Sequence, residues 1–186
     1  MRNRQVILIY GPPASGKLTL ARKLAETTGG HVLDNHFFNN IIMPFVDMHA
    51  GNTDDIFAAI EQIRTLFLRT VQKHHKTDDS HYIFTNVLTS NYPADKLFIA
   101  ALKDFAEAIG ADFIPIELTC PLDALKSRLN TPERAQRHKI TRASTLENIL
   151  NKYQMAKIVH PRKLTLDTSC ITPAEALKRI EKHLGF

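Results

Sequence analysis

The chain has 186 residues and a formal net charge of +5, and hydrophobic residues make up 44% of it. This composition is typical of a folded globular protein, and no apolar run reaches the roughly 18 residues that a membrane span needs. A polar N-terminus followed directly by an apolar run, together with only two cysteines, argues against a secretory signal and a disulfide framework. We therefore expect a cytoplasmic protein, without membrane contact, that forms one domain over residues 1–186.

The first half of the chain alternates between predicted strands and predicted helices. The apolar run 6–10 predicts a strand buried on both faces, and 17–28 predicts a helix that ends at Gly29 and Gly30. The same periodicities then predict a strand at 31–34, a helix at 37–46, a loop at 47–53, a helix at 55–75 and a strand at 81–88.

The second half continues the alternation. It contains a predicted helix at 94–109, a strand at 113–119 that includes Pro115, and a fifth strand at 163–168. Two capping boxes, Ser144 with Glu147 and Thr172 with Glu175, predict the starts of two more helices. Five strands separated by helices predict an α/β fold: a three-layer α/β/α arrangement around a five-stranded parallel sheet.

The most specific motif is the segment Gly11-Pro-Pro-Ala-Ser-Gly16-Lys17. Two glycines five residues apart, followed by lysine, form a P-loop when a buried strand precedes them and a helix follows. In a P-loop the backbone N–H groups surround a phosphate chain, and the lysine adds a mobile positive charge. The segment therefore predicts a nucleotide phosphate site made of Gly11, Pro13, Ala14, Ser15, Gly16, Lys17, Leu18 and Thr19.

One position departs from the usual motif. The residue after the lysine is normally Ser or Thr, whose hydroxyl binds Mg²⁺, and here it is Leu18. Thr19 follows about 100° further around the helix, so it cannot occupy the same place. Magnesium would then be held by phosphate and water, with Asp34 as a candidate carboxylate ligand.

The excess positive charge is concentrated in one short segment. Residues 126–142 contain six basic residues and one acid, and the remaining basic and acidic residues balance. Nucleic-acid binders more often spread positive charge over an extended face, so this cluster favours a compact polyanion such as a triphosphate. We expect no nucleic-acid partner.

The P-loop, the acid at the end of the second strand (Asp34) and the arginine-rich segment after the fourth strand together resemble the small P-loop kinases. These include adenylate, shikimate and gluconate kinases and chloramphenicol phosphotransferase, and the resemblance covers essentially the whole chain. It implies ATP and Mg²⁺ as cofactors, an acceptor-binding insert at about 37–79 and a lid at about 126–142. The chain lacks an Asn-Lys-x-Asp guanine motif and an LSGGQ motif, and it is too short for an AAA+ module with an added helical lid domain.

The resemblance also implies roles for individual residues. Lys17, Asp34 and Arg134 are the catalytic candidates, with Asp34 activating the acceptor and Arg134 stabilising the transferring phosphate. Arg128 matches the arginine that packs over adenine, and Arg137 is a second lid candidate. Shikimate kinases have Asp-x-Asp where this chain has Asp34-Asn-His36, which argues against shikimate itself.

Each of these residues also has a simpler interpretation. Asp34 could cap the helix that follows it, His36 could be a polar loop residue, and Asn86 could merely end the third strand rather than bind substrate. The basic segment could be a solvated helix face, and we interpret Lys139 and Arg142 as solvated. The leading hypothesis is an ATP-dependent kinase that phosphorylates a hydroxyl group of a small-molecule acceptor. The alternative is a nucleotide-binding protein, or weak NTPase, without kinase activity.

Overall fold

The computed structural model describes residues 4–47, 53–75, 80–130 and 139–186. Its strands form one parallel sheet in the order β2-β3-β1-β4-β5. The strands are Gln5–Tyr10 (β1), His31–Asp34 (β2), Tyr82–Asn86 (β3), Asp112–Thr119 (β4) and Leu164–Asp167 (β5). The predicted five-stranded parallel sheet is therefore confirmed.

Helices cover both faces of this sheet. They are Lys17–Thr28 (α1), His36–Ile42 (α2), Thr53–His74 (α3), Pro93–Ala108 (α4), Leu122–Ser127 (α5), Ala143–Lys152 (α6) and Pro173–Leu184 (α7). Alternate residues of β1 face opposite layers, as the geometry of a strand requires. Ile7 and Ile9 pack against α1 and α7, whereas Val6, Leu8 and Tyr10 pack in the layer that holds α3 and α4. Burial on both sides explains why β1 is a continuous apolar run.

Prolines lie in two of the predicted elements. The helix predicted at 37–46 ends at Ile42 and continues as a 3₁₀ turn, Met43–Phe45, because Pro44 cannot continue an α-helix. The strand predicted at 113–119 is confirmed as β4 and includes Pro115. Pairing between β4 and β5 begins only at Ile116, and Pro115 pairs with β1 alone. An absent N–H group is tolerated where a strand has a neighbour on one side only.

One of the two predicted capping boxes is also wrong. Thr172 and Glu175 form the reciprocal bonds of a capping box at the start of α7. Helix α6 instead begins at Ala143, so Ser144 lies inside its first turn and makes no capping bond. Glu147 forms an ion pair with Lys126 of α5. The partner on another helix, rather than the local backbone, determines where this carboxylate points.

Candidate functional site

The carboxyl ends of the strands open into one cleft of about 780 Å³. Parallel sheets bind ligands at this edge, because the loops that leave the strands converge there. The cleft has two distinct ends. The first, which we call the loop end, is lined by the segment from Pro13 to Thr19 with Asp34, Arg128, Lys139 and Thr168; the second, the α3–α4 end, is lined by Glu61, Arg64, Asn86 and Asp95.

The backbone of the loop end has the conformations that glycine permits. Gly11 has a φ of 146° and Gly16 a φ of 91°, both in a region that other residues rarely adopt. A Cβ atom on Gly11 would lie 2.2 Å from the backbone oxygen of Leu118 in β4. Gly11 is therefore required both for its conformation and for the close approach of β4. Ala14, with a φ of 65°, completes the turn.

Two polar groups in this turn fit a bound phosphate chain. Lys17 lies over its own loop, where its Nζ donates hydrogen bonds to the carbonyl oxygens of Gly11 (3.0 Å) and Pro12 (2.7 Å). Ser15 is 1% exposed, and its hydroxyl has no hydrogen-bond partner within the described part of the chain. A buried polar group without a partner is costly, so a ligand oxygen at this position would stabilise the loop.

Asp34, at the end of β2, is held by two hydrogen bonds. The hydroxyl of Thr85 donates to Oδ1 (2.8 Å) and the ammonium of Lys139 donates to Oδ2 (3.0 Å). Burial by itself would raise the pKa of Asp34, but the charge of Lys139, the two hydrogen bonds and the charge of His36 together lower it. Helix α2 has no side-chain cap. Asp34 is therefore an ionised carboxylate that faces the cleft, and the helix-cap interpretation is wrong.

The position of Lys139 corrects the sequence interpretation, which treated it as solvated. Its side chain is only 16% exposed because it lies against Asp34. The two residues are 105 positions apart in the chain, so no local pattern could reveal their contact. Arg142, by contrast, is exposed, as expected.

Arg128 connects the loop after β5 to the phosphate loop. Its guanidinium donates to the carbonyl oxygen of Thr168 (2.6 Å) and to the Thr168 hydroxyl (3.3 Å). The same hydroxyl lies 3.2 Å from the carbonyl oxygens of Ser15 and Thr119. Arg128 thus borders the loop end, where a base beyond the phosphates would lie. Thr168 lines this site too.

The α3–α4 end holds a group of charged residues that sequence reasoning missed. Arg64 is 7% exposed and donates hydrogen bonds to Glu61 and to the side chain of Asn35. Asp95, at the start of α4, accepts bonds from the backbone N–H (2.8 Å) and the hydroxyl (2.9 Å) of Thr89. Charged residues are seldom buried unless they are paired. The sequence did contain one signal for this group, because the helical repeat of α3 places the charged Arg64 on its apolar face.

The two predicted substrate residues both line this cleft. Asn86 is 3% exposed at the end of β3, and its Nδ2 has no partner in the described part of the chain. His36 begins α2 and contributes to the field at Asp34. Arg134 and Arg137 lie outside the described residues, as does the middle of the predicted lid at 126–142, and the insert predicted at 37–79 is described only in part.

The residues around Asp34 fit Mg²⁺ only in part. Mg²⁺ is usually held by one or two carboxylates together with substrate phosphates and water. Asp34 supplies one carboxylate beside the loop, whereas Leu18 is apolar and Thr19 is exposed. Within the described ranges, no group of three or more His, Cys, Asp or Glu side chains could hold a metal ion. A metal here would depend mainly on phosphate and water.

Comparison with known proteins agrees with this geometry. A family profile described as an AAA domain (AAA_18) matches residues 7–150, which is most of the chain. The length of the chain argues only against an AAA+ module that carries an added helical lid domain. No curated protein matches this chain significantly. Within the described ranges, no helix is both long and apolar enough to cross a membrane.

Several solved structures are similar over nearly the full length. A gluconokinase from Sinorhizobium meliloti 1021 has 14% identity and a TM-score of 0.61, covering 100% of this chain and 94% of that one. The APS kinase CysC of Mycobacterium tuberculosis, in complex with AMPPNP and APS, has 15% identity and a TM-score of 0.59, covering 100% of both chains. A shikimate kinase from Bacteroides thetaiotaomicron has 13% identity and a TM-score of 0.56, covering 98% and 99%.

These similarities extend over nearly the whole fold of this chain. At such low identities they concern the fold, whereas the family match rests on the sequence itself. The chain has the fold of the small P-loop kinases and belongs to the AAA domain family AAA_18.

Proposed function

We propose that this protein is an ATP-dependent phosphotransferase that transfers the γ-phosphoryl group to a hydroxyl of a small molecule. One observation carries the proposal: the phosphate loop with Lys17 and an ionised carboxylate, Asp34, line the same cleft, and the α3–α4 end leaves room for an acceptor. Phosphoryl transfer depends mainly on positioning and charge stabilisation, and this arrangement supplies both.

The loop end binds the nucleotide phosphates in this proposal. Lys17 leaves the carbonyl oxygens of Gly11 and Pro12 and reaches the β- and γ-phosphates, while the Ser15 hydroxyl and the loop N–H groups meet phosphate oxygens. Arg128 stacks on the base, since an arginine plane suits an aromatic face. Mg²⁺, when bound, would neutralise charge on the phosphate oxygens.

Asp34 acts on the acceptor hydroxyl. Thr85 fixes one carboxylate oxygen, and the other must be released by Lys139 before it can accept a proton from the acceptor. We infer that the Lys139 ammonium moves from Asp34 to the nucleotide phosphates when ATP binds. Arg134 and Arg137 then add positive charge from the lid as charge develops on the transferring group.

Calorimetry and ADP release together test the proposal. We expect ATP to bind, Lys17→Ala to weaken that binding, and an acceptor from a panel of sugars, amino sugars, hydroxy acids and nucleosides to stimulate ADP release. Arg134→Ala should lower kcat more than it weakens ATP binding. Absence of ATP binding would overturn both the nucleotide site and the phosphotransferase assignment that depends on it.

Two observations favour a second function. Leu18 removes the usual Mg²⁺ ligand, and Lys139 occupies the carboxylate that would otherwise be available. Both features suit a protein that binds nucleotide without transferring phosphate. Tight ATP binding that is independent of Mg²⁺, without stimulation by any acceptor, would support this alternative. Leu18→Thr should then make binding dependent on Mg²⁺.

A further inference from the structure

The α3–α4 end carries more negative than positive charge. Glu61, Arg64 and Asp95 all line it, so its formal charge is one unit negative when the carboxyls are ionised. Tyr92 lies beside them. Burial raises the pKa of its phenol, and the negative charges of Asp54, Asp95 and Glu61 raise it further. An anion entering this end would meet repulsion, because the described residues that line it carry no net positive charge.

Arg64 is held in place by neighbouring residues. Two of its nitrogens donate to Glu61 and Asn35, and its guanidinium carbon lies 5.1 Å from the centre of the Phe98 ring. Its Nε is buried without a hydrogen-bond partner in the described part of the chain. Glu61 neutralises its charge at short range, since the two residues lie one helical turn apart on α3. Among the described residues that line this end, Arg64 therefore adds no net positive charge.

Several polar atoms here still lack partners. In the described part of the chain, Glu61 and Asp95 each use only one carboxylate oxygen in hydrogen bonds. The amide nitrogen of Asn86 is buried without a partner in the described part of the chain, although the residue lines the cleft. Carboxylate oxygens accept hydrogen bonds, whereas the amide nitrogen of Asn86 donates one. A hydroxyl group both donates and accepts, so it matches the carboxylates and the amide, and a protonated amine matches the carboxylates.

Aromatic rings complete this end of the cleft. Phe57 and Tyr92 pack edge to face with ring centres 5.9 Å apart, and both line the cleft together with Tyr153. Aromatic faces attract a cation, and the neighbouring carboxylates strengthen that attraction. Burial raises the pKa of both Glu61 and Asp95. A ligand that donates hydrogen bonds to them would stabilise their charged forms.

We infer that the acceptor is a polyhydroxyl compound without negative charge, and that an amino-substituted one, such as an amino sugar, binds best. The inference rests on the proposed function and specifies its acceptor. It separates this protein from the similar gluconokinase, shikimate kinase and APS kinase, because the charge of the α3–α4 end opposes an acidic acceptor.

The test uses acceptors that share a sugar ring and differ in charge. We would measure ATP-dependent ADP release with D-glucosamine, D-glucose and D-glucuronate, and then with wider sets of aminoglycosides, neutral polyols and sugar acids. We expect kcat/KM to fall in the order cationic, neutral, anionic, with at least about a tenfold difference between the first and the last. An acidic acceptor that equals or exceeds the amino compounds, or no stimulation by any non-anionic compound, would overturn the inference.

Glu61→Gln provides the matching variant. It removes one negative charge while keeping the shape of the side chain, so the preference for cationic over anionic acceptors should narrow. Glu107→Gln, on the exposed surface of α4, should leave that preference unchanged. ATP binding measured on each variant reports folding and an intact loop end. A variant that binds ATP but keeps the full preference would show that Glu61 does not set it.

The two proposals fail in different ways. Loss of ATP binding in the wild-type protein would remove the kinase assignment itself. ATP binding with an acidic acceptor that equals or exceeds the amino compounds would leave that assignment standing and reject only the inferred acceptor class.

Discussion

The loop end of the cleft comes from one continuous stretch of chain, whereas the α3–α4 end is assembled from side chains on separate elements. In the loop end, main-chain conformation shapes the site, and neighbouring residues in sequence are neighbours in space. In the α3–α4 end, Arg64 bonds with Asn35 of the β2–α2 turn and faces Asp95 of α4. A backbone site tolerates few changes at any position, while a side-chain site can change its ligand through one substitution.

The largest effect should follow removal of the lysine charge at the loop end. Lys17→Ala deletes the mobile cation that we assign to the transferring phosphate. We expect acceptor-stimulated ADP release to fall by about 10²- to 10³-fold in kcat/KM, the usual effect of removing a group that stabilises transition-state charge. Lys157→Ala, at an exposed position, should have no effect. Equal activity of the two variants would remove Lys17 from the mechanism.

Backbone geometry at the loop end can be tested by a pair of glycine substitutions. Gly11→Ala places a methyl group against the Leu118 oxygen at a positive φ, so we expect the free energy of unfolding to fall by about 3 kcal/mol. Gly110→Ala also has a positive φ but meets open space, and should cost about 1 kcal/mol. Urea unfolding measures both. Equal losses would mean that the close approach of β4 is unimportant.

The contact between Asp34 and Lys139 predicts a stability change that depends on pH. The pKa of Asp34 is lowered in the folded protein. The stabilisation that ionised Asp34 gives the fold is therefore present above the unfolded pKa of about 4 and is lost as pH falls through the folded pKa. Lys139→Met should therefore destabilise the protein by about 2 kcal/mol at neutral pH, discounted for partial exposure, and by less in acid. Lys157→Met is the control. A loss that is the same at both pH values would reject the ion pair as its cause.

The smallest effect concerns the helix that borders the loop end. Thr172→Ala removes the cap of α7 and should cost about 1 kcal/mol. Ser144→Ala, inside the first turn of α6, should cost nothing, because Ser144 caps no helix. Thermal or urea unfolding of the two variants compares the two motifs directly. A larger loss for Ser144→Ala would contradict the observed start of α6.

Most of the fold could be predicted because it depends on local pattern. The boundaries of α1 and β2 agree with the predicted 17–28 and 31–34, since a glycine ends the helix and a short apolar run follows it. The α2 boundary was wrong because the effect of Pro44 outweighed the apolar pattern around it. Strand order could not be predicted, because helices and loops of similar length permit several orders.

The site divides in the same way. The sequence by itself determined the phosphate loop and the α/β class, because glycine spacing and hydrophobic periodicity act over a few residues. Only the tertiary structure decided that Lys139 faces Asp34, that Glu147 pairs with Lys126 instead of capping α6, and that Arg64 is neutralised inside the cleft. Those contacts join residues that the chain brings together only on folding, and electrostatic partners are set by distance in space rather than by distance in sequence.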